Sequence, residues 1–343
     1  MGGHLRIFKW LLYDKNYKDT KCCSYAALNG HLELLKWLIR NGYSWDSEIC
    51  SNAALNGHLE ILQWAKRNGY VWGNSTTYAA VEGGRLEVLQ WVIQNGYGWG
   101  RDICKYAAGS GNIEMMEWIL ANSSFELEEE EYLDAAKKGK LEMVQWLKSN
   151  NCPWDERACF YAAEGGQLNI LQWLRSNGCP WDERTITYAI MNGHIEIAKW
   201  ARENGCPLDE NTLNTAVVAK GNNISTLQWL RSNACPWNKS ACYNAALCGN
   251  LEVLKRLRSN GCPWDESTCS VAAEKGHLEV LQWARENGCP WDSSTIRYAI
   301  MYHQMEVLQW AVDNRCPWNE NVDPWEWKKM QERLFNEEHY SYW

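Results

Sequence analysis

Residues 178–204 read Gly-Cys-Pro-Trp-Asp-Glu-Arg-Thr-Ile-Thr-Tyr-Ala-Ile-Met-Asn-Gly-His-Ile-Glu-Ile-Ala-Lys-Trp-Ala-Arg-Glu-Asn. Gly178, Cys179 and Pro180 interrupt any helix, because proline lacks the amide donor and holds the residue before it extended. Asp182 follows as an N-cap whose carboxylate can accept the free amides of a first turn. Trp181 before the cap and Ile186 after it have the spacing of a hydrophobic staple. A first helix, A, is therefore predicted to run up to Gly193, a glycine placed to leave the helix at positive φ. A second helix, B, starts at His194, carries Ile195, Ile197, Ala198, Trp200 and Ala201, and stops at Asn204-Gly205. Glu196 in its first turn and Arg202 in its last match the helix dipole. The unit is two short antiparallel helices with no strand signal.

The same unit recurs on both sides. Trp10, Trp37, Trp64, Trp91 and Trp118 are 27 residues apart, and Trp146, Trp173, Trp200 and Trp229 follow at 28, 27, 27 and 29. Arg256 takes the next place, then Trp283 and Trp310. A second column holds Trp45, Trp72, Trp99, Trp154, Trp181, Trp237, Trp264, Trp291 and Trp318 in the connections. The two columns explain why the chain has 23 Trp but only 4 Phe. A fixed period over most of a chain means one supersecondary unit stacked on itself. The fold class that follows is all-α, an α-solenoid of stacked antiparallel helix pairs.

The core Ala-Ala-x-x-Gly-His-Leu-Glu-x-Leu, present at 26–35, 53–62 and 272–281, resembles that of the ankyrin repeat. The resemblance covers residues 1 to about 320. It departs in length, since an ankyrin unit has about 33 residues. The missing ones fall between helix B and the next helix A, so the family's β-hairpin finger is expected to be absent or reduced to a tight Cys-Pro-Trp-Asp loop. The Thr-Pro-Leu-His helix start is also absent. The short variant is similar to tandem ankyrin-like arrays of giant DNA viruses and some protists. The resemblance implies protein binding rather than catalysis.

The expected organisation is an array over 1–320, an unpaired B helix followed by about 11 helix pairs, and a C-terminal tail over 321–343. The chain opens directly with a B helix, which reads either as an economical cap or as the remnant of a longer array. Residues 122–131, Asn-Ser-Ser-Phe-Glu-Leu-Glu-Glu-Glu-Glu, replace one Cys-Pro-Trp-Asp connection. The tail around Asp323-Pro324-Trp325 reads as a polar capping helix or a docking segment.

Composition closes off several classes. With 34 Lys+Arg against 42 Asp+Glu the net charge is −8, the wrong sign for a phosphate-binding surface. No apolar run approaches the roughly 18 residues that span a bilayer. The N-terminus has no basic stretch leading into an apolar run, and Arg6 occupies the place where a myristoylation motif needs Ser or Thr. These features point to an intracellular, cytoplasmic protein, monomeric and without membrane or nucleic-acid partners; if viral, it would sit in the host cytoplasm. The 15 Cys contain no C-x-x-C pair, so zinc spacing is missing. Cys152, Cys179, Cys206, Cys235, Cys262, Cys289 and Cys316 form one loop column, expected to act as small hydrophobes with reduced thiols. His4, His31, His58, His194 and His277 form a column at the start of helix B, read as capping residues. The B-helix tryptophans sit among Leu and Ile at core spacing and are read as core filler, not as a base-stacking platform. No phosphate loop, nucleophile elbow or H-E-x-x-H motif occurs. No cofactor, metal or catalytic residue is expected.

Function is therefore sought where the repeats differ from one another. The columns of Ser51 and Asn52, on the expected solvent side of helix A, vary from rung to rung while the loop and B-helix columns hardly change. They and their neighbours supply the candidate partner-binding residues on the concave face: Tyr106, Phe160, Tyr161, Glu164, Tyr188, Met191, Tyr243, Arg297 and Tyr298. The expectation is a non-enzymatic scaffold binding a partner protein, as in the substrate-recognition part of a larger assembly. Self-association through the array is the competing reading, and an RNA-binding helical repeat ranks behind both.

Overall fold

A computed structural model describes residues 21–219 and 223–317. Over these residues the chain forms 22 α-helices, with no strand among the described residues. The helices alternate as 11 A–B pairs, from Lys21–Leu28 with Leu32–Arg40 to Ser293–Met301 with Met305–Asp313. The hairpin finger is replaced by tight loops throughout. The unpaired first B helix and the tail fall outside the described residues. The chain divides into two compact units, Met1–Trp181 and Asp182–Trp343. Within each, successive A helices pack on one another and each B helix packs on its own A helix.

The local signals act as read. Asp155, Asp182, Asp209, Asp265 and Asp292 each accept a backbone N–H of the following turn, at 2.8–3.1 Å. Gly193 and Gly205 leave their helices at φ 81° and 89°. An asparagine at the end of the B helices donates its amide to the carbonyl one turn back, which belongs to tryptophan in most rungs, as in Asn177 to Trp173 and Asn204 to Trp200 at 2.8 Å, and to Arg256 in one. The core lies between the two helix layers, where Cys159, Ala162 and Ala163 of one pair meet Ile170, Leu171 and Leu174.

Three columns differ from expectation. The B-helix tryptophans are half-buried flank residues rather than core. Ile61, Leu62 and Ala65 point inward, and at about 100° per residue Trp64 falls beside that stripe. Several of these rings are covered instead by the loop tryptophan of their own repeat, with centroids 5.9 Å apart for Trp45/Trp64, 6.2 Å for Trp154/Trp173 and 5.8 Å for Trp291/Trp310. A cation from the preceding B helix closes the seam. Arg175, Arg258 and Arg285 stand 4.1, 4.0 and 4.2 Å from the rings of Trp181, Trp264 and Trp291, and each also donates to the adjoining cysteine carbonyl.

The loop cysteines are buried, as expected, but they also bond. Cys152, Cys179, Cys206, Cys235, Cys262, Cys289 and Cys316 donate their thiols to the N-cap carbonyl of the preceding rung at 3.0–3.4 Å. The described histidines of this column do not cap their own helices, and two of them reach the neighbouring rung instead. His31, His58, His194 and His277 make no side-chain cap bond to their own helix. His58 and His277 instead reach the carbonyls of Leu28 and Leu247, at 3.1 and 3.3 Å.

The acidic connection is ordered by other means. Glu128 takes the N-cap position and forms a reciprocal capping box with Glu131, whose carboxylate accepts the Glu128 N–H at 2.7 Å. Arg101 pairs with Glu128, and Phe125 lies 6.3 Å from the Trp99 ring. Glu131 is left 5% exposed at a position where Thr185 and Thr268 are buried in other rungs, and Tyr132 is fully buried where those rungs hold Ile186 and Cys269.

Candidate interaction surface

Position on the A helix decides what each candidate can do. Relative to the inward Cys159, residue 160 lies about 100° round the helix and residue 161 about 200°. The first is therefore a flank and the second is the face. Phe160 is accordingly 5% exposed, which corrects its assignment to the solvent side; its ring packs 5.0 Å from that of Tyr161. In the same column Leu133 and Ser270 are buried as well, and the Asn52 column also contains one buried member, Val271.

In the first unit, Tyr106 and Tyr161 are half-exposed. Tyr106 stacks on Tyr78 of the preceding rung at 4.9 Å. Glu164 pairs with Lys137 at 2.7 Å, and the Lys137 ammonium lies 5.6 Å from the Tyr161 ring. The Glu164 hydrogen bond holds the Lys137 pKa above its ordinary value. This face is a charged and aromatic network.

In the second unit, Tyr188, Tyr243 and Tyr298 are half-exposed. Met191 is 49% exposed. Arg297 is exposed and stands 5.0 Å from the Tyr298 ring, which in turn lies 6.4 Å from Tyr302. Lys275 pairs with Glu274 at 2.7 Å and approaches Tyr302 at 5.8 Å.

Several exposed residues were missed. Val218, Met301, Tyr302 and Tyr25 are among the large apolar side chains most open to solvent. Val218 and Met301 share the A-helix terminal column with Met191, so column spacing would have found them.

No reactive constellation accompanies this surface. Among the described residues no group of three or more His, Cys, Asp or Glu side chains is arranged to hold a metal. Burial pushes the Cys50 and Cys104 thiols up to about 12, away from the thiolate form that reacts. Among the described residues no helix is long and apolar enough to cross a membrane.

Comparison with known proteins agrees with the repeat. Residues 132–212 match the family model described as ankyrin repeats (3 copies). The chain is similar to the crystal structure of the human ASB11 ankyrin repeat domain, at 19% identity and a TM-score of 0.36, over 46% of this chain and 84% of that one. No curated protein matches. Residues 132–212 thus carry ankyrin repeats, within an array of helix pairs that runs through the described residues. Ankyrin repeats generally mediate protein–protein interaction.

Proposed function

We propose that this protein is a non-enzymatic scaffold that binds a partner protein through the solvent face of its A helices, with 1–320 as the repeat array and 321–343 as its cap. One contrast supports this reading. The loop and B-helix columns recur along the array, with a cation over the loop tryptophan at Trp154, Trp181, Trp237, Trp264 and Trp291, whereas the A-helix face changes its chemistry from rung to rung. A fold requirement recurs in every repeat; a partner requirement need not. Half-exposed tyrosines on that face suit it, because aromatic side chains dominate binding hot spots.

Affinity for a captured partner tests the reading. Tyr106→Ala with Tyr161→Ala in the first unit, and Tyr188→Ala with Tyr298→Ala in the second, should each weaken binding, by about 1–2 kcal/mol per anchor. Gln145→Ala, Gln172→Ala and Lys199→Ala on the B-helix face should leave it unchanged. The reading fails if the B-helix set abolishes binding while the tyrosine sets do not. Concentration-dependent sedimentation of the protein alone would favour self-association instead.

A further inference from the structure

Among the described residues most A–B turns end in a glycine at positive φ, and at six of them the next rung lays a side chain over it. His58 approaches the place of a Gly30 Cβ to 2.6 Å, Arg85 that of Gly57 to 3.1 Å, Lys140 that of Gly111 to 2.8 Å, and Gln167 that of Gly139 to 2.8 Å. In the second unit His277 and Gln304 do the same over Gly249 and Gly276, at 2.7 and 2.2 Å. Four of these side chains also satisfy the terminal carbonyl of the preceding A helix. His58 reaches Leu28, Arg85 Nε donates to Leu55 at 3.2 Å, His277 reaches Leu247, and Gln304 donates to Glu274.

The turn at Gly84 departs from this pattern, as does that at Gly193, which has nothing within 4 Å. Over Gly84 the next rung offers only Asn112, whose amide stops 3.7 Å away. Its carbonyl oxygen is turned into its own helix, accepting the Met115 N–H at 2.9 Å. The space that His58 or Arg85 fills elsewhere is left as a cleft of about 470 Å³, lined by Glu82, Gly83, Gly84, Ser110, Asn112 and Glu142. Among the described residues no side chain donates to the Glu82 carbonyl, the counterpart of the carbonyls that His58 and Arg85 cap. That carbonyl ends an A helix, where the dipole favours a cation, and two carboxylates flank it.

We propose that this cleft binds the guanidinium group of an arginine side chain from a partner protein. The rest of the array supplies the template. Where the chain fills the same space itself it uses donors, and Arg85 fills it with a guanidinium whose Nε bonds the helix-terminal carbonyl. A planar guanidinium can donate to that carbonyl and still present N–H groups to Glu82 and Glu142, which a single-point ammonium does less well. The proposal shares with the preceding reading only that the ligand belongs to a protein, and its test needs no captured partner.

Amide NMR of the full chain, titrated with N-acetyl-glycyl-arginyl-glycinamide, tests it. The amides of Gly83, Gly84, Gly111 and Asn112 should shift, and the citrulline analogue, isosteric but neutral, should shift them at least tenfold less. The lysine peptide should bind more weakly than the arginine peptide. Glu82→Gln with Glu142→Gln should lower the affinity several-fold. Asn112→Arg, which supplies the missing side chain from within as Arg85 does, should abolish the shifts and raise the melting temperature. The proposal is overturned if the arginine peptide leaves these amides unmoved, if citrulline matches it, or if Asn112→Arg binds the peptide as wild type does.

Discussion

Two connections along the chain do the same job with different chemistry. Between Asn177 and Asp182 the chain turns on Gly178, Cys179 bonds the Asp155 carbonyl at 3.3 Å, and Arg175 covers Trp181. The thiol, the cap and the loop tryptophan each find a local partner. Between Asn122 and Glu128 the thiol and the tryptophan are gone, and order comes from the Glu128–Glu131 box and the Phe125–Trp99 contact. The turn is closed in both cases. The second solution, however, puts the Glu131 carboxyl, raised to about 7, where the first has only the unpaired Thr185 hydroxyl, and adds the buried, unpaired Tyr132 hydroxyl. A tandem array thus tolerates an irregular joint by accepting local electrostatic cost, and that cost is measurable.

The largest effect should come from Glu131. Burial raises its pKa from 4.5, with Glu129 and Glu130 adding to the rise and Arg101 opposing it. Because the folded state holds the proton more tightly, Glu131 adds no penalty below about pH 4.5, where both states are protonated. Stability is lost as pH climbs through the folded value near 7, and the full penalty applies above it. Glu131→Gln keeps an acceptor for the Glu128 amide and removes the ionisation. It should stabilise the protein at pH 8 by roughly 1–3 kcal/mol and flatten the pH dependence of urea unfolding between 4.5 and 7. An unchanged pH profile would show that Glu131 ionises freely.

A smaller effect separates the caps. Asp155 accepts the Arg157 N–H at 2.9 Å and pairs with Arg157 Nε at 2.7 Å, so Asp155→Ala should cost about 1–2 kcal/mol. Glu128→Ala should cost less, because its partner Arg101 is exposed and exposed pairs contribute little. Equal losses in thermal unfolding would erase the distinction between the two joints.

The smallest effect should be at Tyr132. Its hydroxyl is buried and unpaired, so Tyr132→Phe should be neutral or stabilising by about 1 kcal/mol. A clear loss in urea unfolding would reveal a bond that the static structure does not contain.

The parts of this fold that were legible in the sequence are the ones fixed within a few residues. Asp182 caps, Gly193 turns and the period near 27 place helix pairs because capping and turning depend on the chain's own neighbours. The parts that were not legible are decided between rungs. Whether residue 160 faces solvent depends on packing beyond its own helix, and Phe160 is buried. The target of the His58 ring, a carbonyl 30 residues back, has no trace in local sequence. The loop cysteines looked like simple filler because burial was evident, whereas the acceptor 24 or 26 residues away was not. The candidate surface was recovered in part for the same reason: Tyr161 lies opposite the core whatever its neighbours do, and Phe160 does not.

The thiol-to-carbonyl bonds carry a consequence for how such a chain can change length. Each loop cysteine presents a donor to the rung before it, and each N-cap residue presents a carbonyl to the rung after it, in the same geometry from Cys152 to Cys316. Cutting the array at two equivalent loops and rejoining it leaves one donor facing one acceptor, as though nothing had been removed. Such a joint is indifferent to which two units it unites. Unequal recombination between near-identical repeats can therefore lengthen or shorten the chain by whole units without creating an unmatched seam, and new combinations of A-helix face become accessible to selection without redesign of the frame that holds them.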